Sequence, residues 1–521
     1  MAMATTGNNA APFKPLQGSA LVIGTIALSL ATFMNVLDTS IANVSLSAIS
    51  GDLGVSPDQG TWVITSFGVA NAVSLPLTGW LTQRIGQVRL FTASVLLFVI
   101  ASLLCGLAPS FETLILFRII QGAVAGPMIP LSQTLLLASY PPQKAGVALG
   151  MWSITTLVAP VAGPLLGGWI TDNISWPWIF YINIPVGIIA AIFAWGIYKD
   201  RESPKRKLPV DKVGLALLVL WVGAFQIMLD KGKDLDWFSS REIIVLAFVA
   251  AVGFALFLVW ELTEKHPVVD LHFFRERNFW IGTLSLSLAY GAFFGNLVLL
   301  PLWLQQFMGY TATQAGMALA PVGFLALVLT PLVGKNSGKF DPRILATISF
   351  LIFALVLWLR GGFNVQADFG TIMVPTIIQG AALAFFFIPL ITLTLAGLRP
   401  EQIPAATGLT NFVRITAGSF GTSIATTWWF NRASLHHEQL AEHITRFDAG
   451  TTQALSGLQA SGLSAQQANG LLNRLIDQQA FTIAATDIFR VSALLFLLLI
   501  AVVWFARPVK GNAGAAGAGA H

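Results

Sequence analysis

Three ionisable residues lie well inside long apolar stretches of the sequence, namely Asp38, Arg118 and Arg414. A charged side chain at membrane depth costs about 2.5–3.5 kcal/mol on insertion scales, so each is a candidate for function. At about 1.5 Å of rise per helical residue, Asp38 and Arg118 lie at a similar depth, roughly 6–9 Å below the outer boundary. We predict that they pair and that the acid exchanges a proton beside a fixed cation. The alternative is a static pair that only joins two helices.

The composition excludes a soluble protein. Of the 521 residues, 55% are hydrophobic and only 10% are charged, whereas a typical soluble domain has about 25% charged residues. Disordered chains, coiled coils and nucleic-acid-binding modules are excluded on the same ground. The single cysteine, Cys105, allows no disulfide and no cysteine-rich metal site. Because the GxxxxGK[ST] motif for ATP is absent, we expect no metal or cofactor, and an ion gradient as the energy source.

Fourteen stretches are long and apolar enough to cross a membrane, since a membrane helix needs about 20 mostly apolar residues. These stretches are 20–42, 60–82, 89–108, 113–138, 145–170, 177–198, 212–230, 241–262, 279–303, 313–334, 344–361, 371–397, 404–430 and 487–507. The sequence therefore predicts an all-α polytopic membrane protein with 14 transmembrane helices. An even number of spans places both termini on the same side.

The basic residues of the connecting loops indicate which side holds the termini. With the N-terminus in the cytoplasm, the inner loops and tails hold 19 of the 29 lysines and arginines. The short outer loops then hold four, which are Lys231, Lys233, Arg241 and Arg360. This bias follows the positive-inside rule, so we expect both termini in the cytoplasm.

One long hydrophilic segment, 431–486, lies on the outer side in this topology. Leucines recur in it among Gln, Ala and Glu, which predicts one or two amphipathic helices. Two interpretations stay open: a structural cap, or a surface on which a partner docks.

The sequence also contains an internal repeat. Residues 119–123 (IIQGA) recur at 377–381, and residues 76–79 (PLTG) correspond to 331–334 (PLVG). Further matches follow in the same order, so the repeat pairs spans 1–6 with spans 9–14. Spans 7 and 8 have no counterpart and are read as an insertion outside the transport path.

The repeat defines the predicted domains. A cytoplasmic tail at 1–19 precedes a six-helix bundle at 20–198. Linkers and two inserted helices occupy 199–278, a second six-helix bundle occupies 279–507, and a low-complexity cytoplasmic tail covers 508–521. Two such bundles place a substrate site near the midplane, between halves that rock against each other.

Aromatic and polar residues on the spans are candidate contacts for an apolar or amphipathic substrate, through stacking and cation–π interactions. Each is also compatible with ordinary helix packing. The candidates are Asn35, Gln121, Trp152, Tyr290, Phe293, Phe294, Asn296, Gln379, Phe386, Asn411 and Phe412.

Small and basic residues mark where the helices are expected to move. In span 5, glycines and a proline clear one helix face and add a kink, so that helices can pack closely and slide. After span 2, a glycine and two arginines form a short turn, read either as an inner latch or as positive-inside anchoring. These residues are Gly163, Pro164, Gly167 and Gly168 in span 5, and Gly79, Arg84 and Arg89 in the turn.

Four motifs resemble those of a known family, the 14-span drug:proton antiporter branch of the major facilitator superfamily. They are 37–44 (LDTSIANV), 118–122 (RIIQG), 159–168 (APVAGPLLGG) and 176–185 (WPWIFYINIP). More narrowly, 61–67 (TWVITSF) and 229–240 are similar to EmrB-type multidrug exporters. The resemblance covers nearly the whole chain and implies the major-facilitator fold, with Asp38 and Arg118 in proton transfer.

One position departs from the family pattern. The loop motif after span 2 normally carries an aspartate where Gln83 stands, so a latch through that acid is not expected. The second half offers Asp341 and Arg343 at its own loop.

The resemblance implies proton-coupled export of hydrophobic or amphipathic toxic compounds across a bacterial inner membrane. It also implies a periplasmic membrane-fusion adaptor and an outer-membrane channel as partners. Because no acid, base and nucleophile converge within the spans, we expect no enzyme. Two alternatives stay open: export of an endogenous metabolite or siderophore on the same fold, and a membrane sensor or scaffold that transports nothing.

Overall fold

The computed structural model describes residues 14–205, 209, 211–232, 235–265, 267–442, 444–445 and 447–509. Parts of the two predicted tails therefore lie outside the described residues. Within those residues the chain forms 22 α-helices and short 3-10 turns, and it forms no strand.

The first half of the chain contains eleven helices, counting short ones at the outer loops. They are α1 Gly18–Val44, α2 Leu46–Asp52, α3 Pro57–Gly60, α4 Trp62–Ser74, α5 Thr78–Ile85, α6 Gln87–Gly106, α7 Phe111–Ala125, α8 Met128–Ser139, α9 Ala145–Asn173, α10 Trp178–Tyr181 and α11 Asn183–Tyr198.

Two helices follow as the insertion, and nine helices form the second half. The inserted pair is α12 Lys212–Lys231 and α13 Arg241–Thr263. The second half consists of α14 Arg277–Phe307, α15 Ala312–Leu319, α16 Val322–Asn336, α17 Pro342–Arg360, α18 Phe369–Ala384, α19 Phe387–Leu395, α20 Ile403–Glu442, α21 Ala449–Ala460 and α22 Ala465–Trp504.

Several predicted spans consist of two helices in line, because a proline interrupts the backbone hydrogen bonding. Pro76 lies between α4 and α5, Pro127 between α7 and α8, and Pro321 between α15 and α16. The break between α18 and α19 comes at Phe385, four residues before Pro389, whose ring opposes a helical carbonyl at that position.

Eleven helical segments in the described part of the chain are long and apolar enough to cross a membrane. They coincide with eleven of the fourteen predicted stretches. The other three stretches, 60–82, 145–170 and 404–430, coincide with α4 and α5, with α9, and with α20. The chain is a multi-pass membrane protein, and the count of fourteen spans stays a prediction.

The helix packing follows the repeat in the sequence. Helix α1 packs against α9 and α11, as α14 packs against α20 and α22. Helix α4 packs against α7, as α16 packs against α18. The two halves meet where α9 packs against α16 and where α20 packs against α5 and α8.

The inserted helix α12 contacts both halves. Lys231 Nζ donates a 2.6 Å hydrogen bond to Thr61 Oγ1 of the first half. On the other side, Ser423 Oγ of α20 donates to the Leu229 carbonyl oxygen over 2.9 Å. Its partner α13 packs mainly on α12 and leaves large apolar side chains such as Phe248 exposed.

The outer segment 431–486 is built mostly from continuations of the two flanking helices. Helix α20 continues without a break to Glu442, and α22 begins at Ala465. A capping box starts α22, since Ser464 Oγ accepts from the Gln467 backbone N–H and the Gln467 side chain accepts from the Ser464 N–H. Among the described residues of this segment only α21 is a separate helix, where the pattern predicted one or two.

Candidate functional site

Asp38 and Arg118 form a buried ion pair, as their depth in the sequence predicted. Arg118 Nη1 donates to Asp38 Oδ2 over 2.6 Å, and both side chains are 0% exposed. The second carboxylate oxygen, Oδ1, accepts from Gln121 Nε2 at 3.1 Å and from Asn183 Nδ2 at 2.9 Å. The carboxylate on α1 is therefore held by donors from two other helices, α7 and α11.

The surroundings of Arg118 explain why it can stay charged at this depth. Its Nε donates to the Val63 carbonyl oxygen over 2.9 Å, and its Nη1 also donates to Gln121 Oε1 over 2.8 Å. The guanidinium carbon lies 4.3 Å from the Phe67 ring centroid and 5.6 Å from that of Phe180, which adds cation–π attraction. No group among the described residues accepts from Nη2.

Asn183 is a member of this site that the sequence analysis missed. It stands in the 176–185 motif, which was used for the resemblance and not for chemistry. Its Nδ2 bridges Asp38 Oδ1 and Ser102 Oγ, the latter over 3.0 Å. A polar residue just inside the start of a span was the available signal.

A small cavity lies between the two halves. It is lined by Gln133 and Trp152 of the first half and by Leu286, Ile391, Thr394, Leu395, Thr407, Thr410, Asn411 and Arg414 of the second. Gln133 and Asn411 connect the halves, because Asn411 Nδ2 donates to Gln133 Oε1 over 3.3 Å. Trp152, Asn411 and Arg414 were predicted from the sequence, and Gln133 was not.

Arg414 places a positive charge on this cavity. Its Nη2 donates to Asn411 Oδ1 over 2.7 Å, and its Nε has no acceptor among the described residues. The guanidinium carbon lies 5.5 Å from the Trp152 ring centroid, 4.7 Å from Tyr290 and 5.4 Å from Phe387. Within the described residues no carboxylate pairs with Arg414, so this cation is available to an anionic group of a ligand.

The remaining predicted substrate residues lie apart from the cavity lining. Asn35 donates to the Ala125 carbonyl, Asn296 donates to Ser492, and Gln379 accepts from Arg360. Phe293 and Phe386 pack against Phe353, and Phe294 against Tyr290. Phe412 packs edge-on against Trp221 of the inserted helix α12, at 5.9 Å between centroids.

Arg360 is a buried cation that the charge sorting assigned wrongly to an outer loop. It is the last residue of α17 and is 1% exposed. Its Nη2 donates to Gln379 Oε1 over 2.7 Å and to Thr376 Oγ1 over 3.1 Å. Gln379 is the repeat counterpart of Gln121, so each half places an arginine against the same glutamine.

Glycines allow the halves to touch at the face where α1 begins and α22 ends. A Cβ added at Gly146 would collide with the Gly334 carbonyl and the Ser337 side chain of the other half. A Cβ added at Gly79 would collide with Ala405. The α9–α16 and α5–α20 crossings are therefore closed tightly in this conformation.

The span-5 glycines pack within the first half. A Cβ at Gly163 would meet Ser40 of α1, and one at Gly167 would meet Ile41. Gly168 is partly buried, and the side chain of Pro164 lies outside the described residues. In the second half the corresponding Gly421 lies directly on the Gly291 backbone, so both repeats use glycine for the same close helix crossing.

The arginines of the turn after span 2 have separate contacts. The Arg84 guanidinium lies 5.3 Å from the Trp80 ring centroid. Arg89 lies 4.0 Å from Glu202, whose two oxygens accept from the Val88 and Arg89 backbone N–H groups at 3.0 Å each. Glu202 thus holds the start of α6, where a negative charge is favoured by the helix dipole.

Asp341 and Arg343 form the corresponding pair in the second half. Arg343 Nη2 donates to Asp341 Oδ2 over 2.7 Å, and Nη1 donates to the Ala506 carbonyl. Partial burial alone would raise the pKa of Asp341, but the hydrogen bonds from Arg343 outweigh it and lower the pKa below its usual 3.8. The ionised pair therefore stabilises the folded state at neutral pH.

We expect Asp341→Asn to lower the free energy of unfolding by about 1.5–3 kcal/mol at neutral pH, the range for a hydrogen bond to a charged group. Asparagine still caps α17, so the loss reports the ion pair. Because the folded pKa is lowered, the contribution is present above pH 3.8 and is lost as pH falls through the folded value. Unfolding of the two proteins across pH measures it, and a difference that stays constant at acid pH would contradict the assignment.

Comparisons with known proteins show which family this chain belongs to. The sequence pattern described as Major Facilitator Superfamily matches residues 28–422. The chain belongs to the major facilitator superfamily. The chain is also 53% identical to the Multidrug export protein EmrB of Escherichia coli (strain K12), over 98% of the chain and 99% of that relative. Fatty acid resistance protein FarB of Neisseria gonorrhoeae is 50% identical, over 96% and 99%.

Solved structures of this superfamily share the fold. The human organic anion transporter MFSD10 (TETRAN) superimposes with a TM-score of 0.58 at 12% identity, covering 94% of this chain and 100% of that one. The proton:xylose symporter XylE gives 0.56 at 15% identity, covering 95% and 97%. These likenesses confirm the predicted major-facilitator fold. The 53% identity confirms the resemblance to EmrB-type exporters. Because the major facilitator superfamily consists of transporters, membership also confirms the prediction that the chain is not an enzyme.

Proposed function

We propose that this transporter exports hydrophobic and amphipathic toxic compounds across a bacterial inner membrane in exchange for protons, by alternating access. The names of relatives at 53% and 50% identity, multidrug export and fatty acid resistance, support the substrate class. The observation that carries the proposal is the combination of a fully buried Asp38–Arg118 pair with a separate cavity between the halves. The proton gradient takes the place of a cofactor.

Protonation of Asp38 is the proposed coupling step. A proton on Oδ2 removes the acceptor of the 2.6 Å bond from Arg118 and neutralises the carboxylate. Helix α1 is then released from α7, and its contact with Asn183 of α11 weakens. Because α1 packs against α9, and α9 closes the inner side against α16, this release reaches the contact between the halves.

The cavity favours amphipathic compounds that carry an anionic group. Arg414 supplies a cation that no carboxylate of the described residues neutralises, while Trp152, Ile391 and Leu395 supply apolar surface beside it. A carboxylate or phenolate that binds Arg414 replaces solvation by a charge-assisted hydrogen bond. Neutral drugs would bind through the apolar wall alone and therefore more weakly than anionic ones.

Replacing Arg414 tests this assignment. We expect Arg414→Gln to weaken binding and transport of a fatty-acid anion by about 10- to 100-fold, since hydrogen bonds to charged groups contribute about 1.5–3 kcal/mol. Transport of a neutral hydrophobic dye should change little. Binding to purified protein and efflux from everted vesicles are the two measurements.

Arg360→Gln is the matched control, because it removes a buried arginine outside the cavity lining. The ratio of fatty-acid anion transport to neutral dye transport should stay that of the wild-type protein. An equal loss for both substrate types in Arg414→Gln would show that Arg414 has only a structural role.

The outer segment 431–486 is the proposed contact for a periplasmic adaptor, which in turn would reach an outer-membrane channel. Helices α20 and α22 carry α21 away from the bundle, and no residue of α21 is buried. Phe447, at the start of this tip, is 98% exposed. This side chain is the part of the tip that we propose packs against the adaptor.

Replacing 443–463 by a short Gly-Ser linker should leave insertion and vesicle transport intact, because the tip packs little against the bundle. Drug resistance in whole cells should fall to that of cells without the transporter, and cross-linking to the adaptor should disappear. Adaptor cross-links that persist after this replacement would place the docking surface elsewhere.

A further inference from the structure

The inserted helices contain a buried acid that the transport mechanism does not use. Glu261 lies near the end of α13 and is 0% exposed. Its Oε2 accepts from the Val269 backbone N–H over 3.1 Å. Its Oε1 has no hydrogen-bond donor among the described residues, although it is fully buried. A buried carboxylate oxygen without a donor is costly, so this atom requires an explanation.

A second carboxylate faces the same point. Asp211 caps α12, with Oδ1 accepting from the Val213 and Gly214 N–H groups at 3.1 and 2.9 Å. Its Oδ2 accepts from Trp260 Nε1 at 2.9 Å. A Cβ added at Gly214 would collide with both Asp211 Oδ2 and Glu261 Oε1. The two oxygens therefore converge over Gly214, which leaves room for their approach.

Among the described residues, the charges that act on Glu261 are the negative ones of Asp211 and Glu264. Asp211 lies at the start of α12, and Glu264 lies on the loop after α13. The 268–269 turn contributes backbone N–H groups to Glu261. Within the described residues no basic side chain forms an ion pair with Glu261. Two ionised carboxylates at such close range repel each other, and one proton shared between them removes the repulsion.

We propose that Glu261 and Asp211 form a proton-binding site in the inserted hairpin, separate from Asp38. The donors assign the proton: three N–H groups donate to Asp211, whereas only the backbone N–H groups of Val268 and Val269 act on Glu261, so Glu261 takes the proton. Its Oε1–H then donates to Asp211 Oδ2, which supplies the missing partner of the buried atom.

The site joins two parts of the chain that are separate in sequence. Val269 belongs to the loop that leads into α14 of the second half, and Asp211 starts the inserted pair. The Val269 N–H that donates to Glu261 Oε2 ties that loop to the hairpin. Loss of the proton at alkaline pH places a second negative charge beside Asp211, and the repulsion between the two carboxylates strains this connection.

Infrared spectroscopy of the purified full-length protein in lipid nanodiscs tests the proposal. At neutral pH we expect a carboxylic-acid carbonyl band that shifts when glutamate is ¹³C-labelled and disappears reversibly at alkaline pH. Glu261→Gln should lose this band, whereas the control Glu264→Gln should keep it. The measurement is made without transport, so it is independent of the proposed export function.

Two results would overturn the proposal. One is a wild-type band that does not respond to glutamate labelling, which can be measured even where the variant fails to fold. The other is a folded Glu261→Gln protein that keeps the full band.

Discussion

Asp38→Asn is expected to abolish pH-driven efflux while the purified protein still binds substrate. Asparagine keeps the shape of the side chain but cannot exchange the proton. It also leaves the buried Arg118 charge without its 2.6 Å partner. Breaking a buried pair on one side typically costs about 3–5 kcal/mol, so a lower thermal stability is expected as well. Dye efflux from everted vesicles with an imposed pH gradient should fall to that of vesicles without the protein.

The double variant Asp38→Asn/Arg118→Gln separates coupling from simple helix joining. It removes both charges, so the unpaired cation disappears and much of the lost stability should return. Efflux should stay absent, because no carboxylate remains at the site to exchange the proton. If the double variant restored pH-driven efflux together with stability, the pair would only join helices.

Gly146→Val is expected to block the transport cycle by preventing closure at the inner side. The new side chain would collide with the Gly334 carbonyl and with Ser337, so the halves could not come together as they do in this structure. Substrate efflux should fall to background, although apolar binding at the cavity is retained. When Gly146→Val is combined with Thr394→Cys in the cavity lining, the new thiol should react with a reagent added from the inner side.

Gly196→Val is the matched control for this prediction. Gly196 lies on α11 with nothing near its would-be Cβ, so the same substitution meets no neighbour. The native cysteine, Cys105, is buried and should not react. Wild-type efflux in the Gly146→Val protein, with no labelling of the thiol introduced by Thr394→Cys, would contradict the role given to this crossing.

The sequence predicted the features that follow from depth and pattern. Fourteen apolar stretches and their repeat led to the helical fold, and rise per residue brought Asp38 and Arg118 together. The direction in which a side chain points around its helix could not be predicted in the same way. In a membrane both the lipid face and the packed face are apolar, so hydrophobic periodicity carries little information.

This limit explains the particular errors at the site. Phe412 stands on the correct span but faces Trp221 of the inserted helix, not the cavity. Arg360 ends its apolar stretch, so it was assigned to a loop, whereas the helix end is buried against Gln379. Depth alone does not show which helix ends are covered by neighbouring elements.

Proton release on substrate binding shows whether Asp38 couples the proton to the substrate. A weakly buffered solution of purified protein with a pH indicator is mixed with a substrate that does not itself titrate at that pH. Protonated wild-type protein should release protons on binding, whereas Asp38→Asn/Arg118→Gln should bind the substrate with no release. Equal proton release from both proteins would contradict the assignment of Asp38 as the coupling residue.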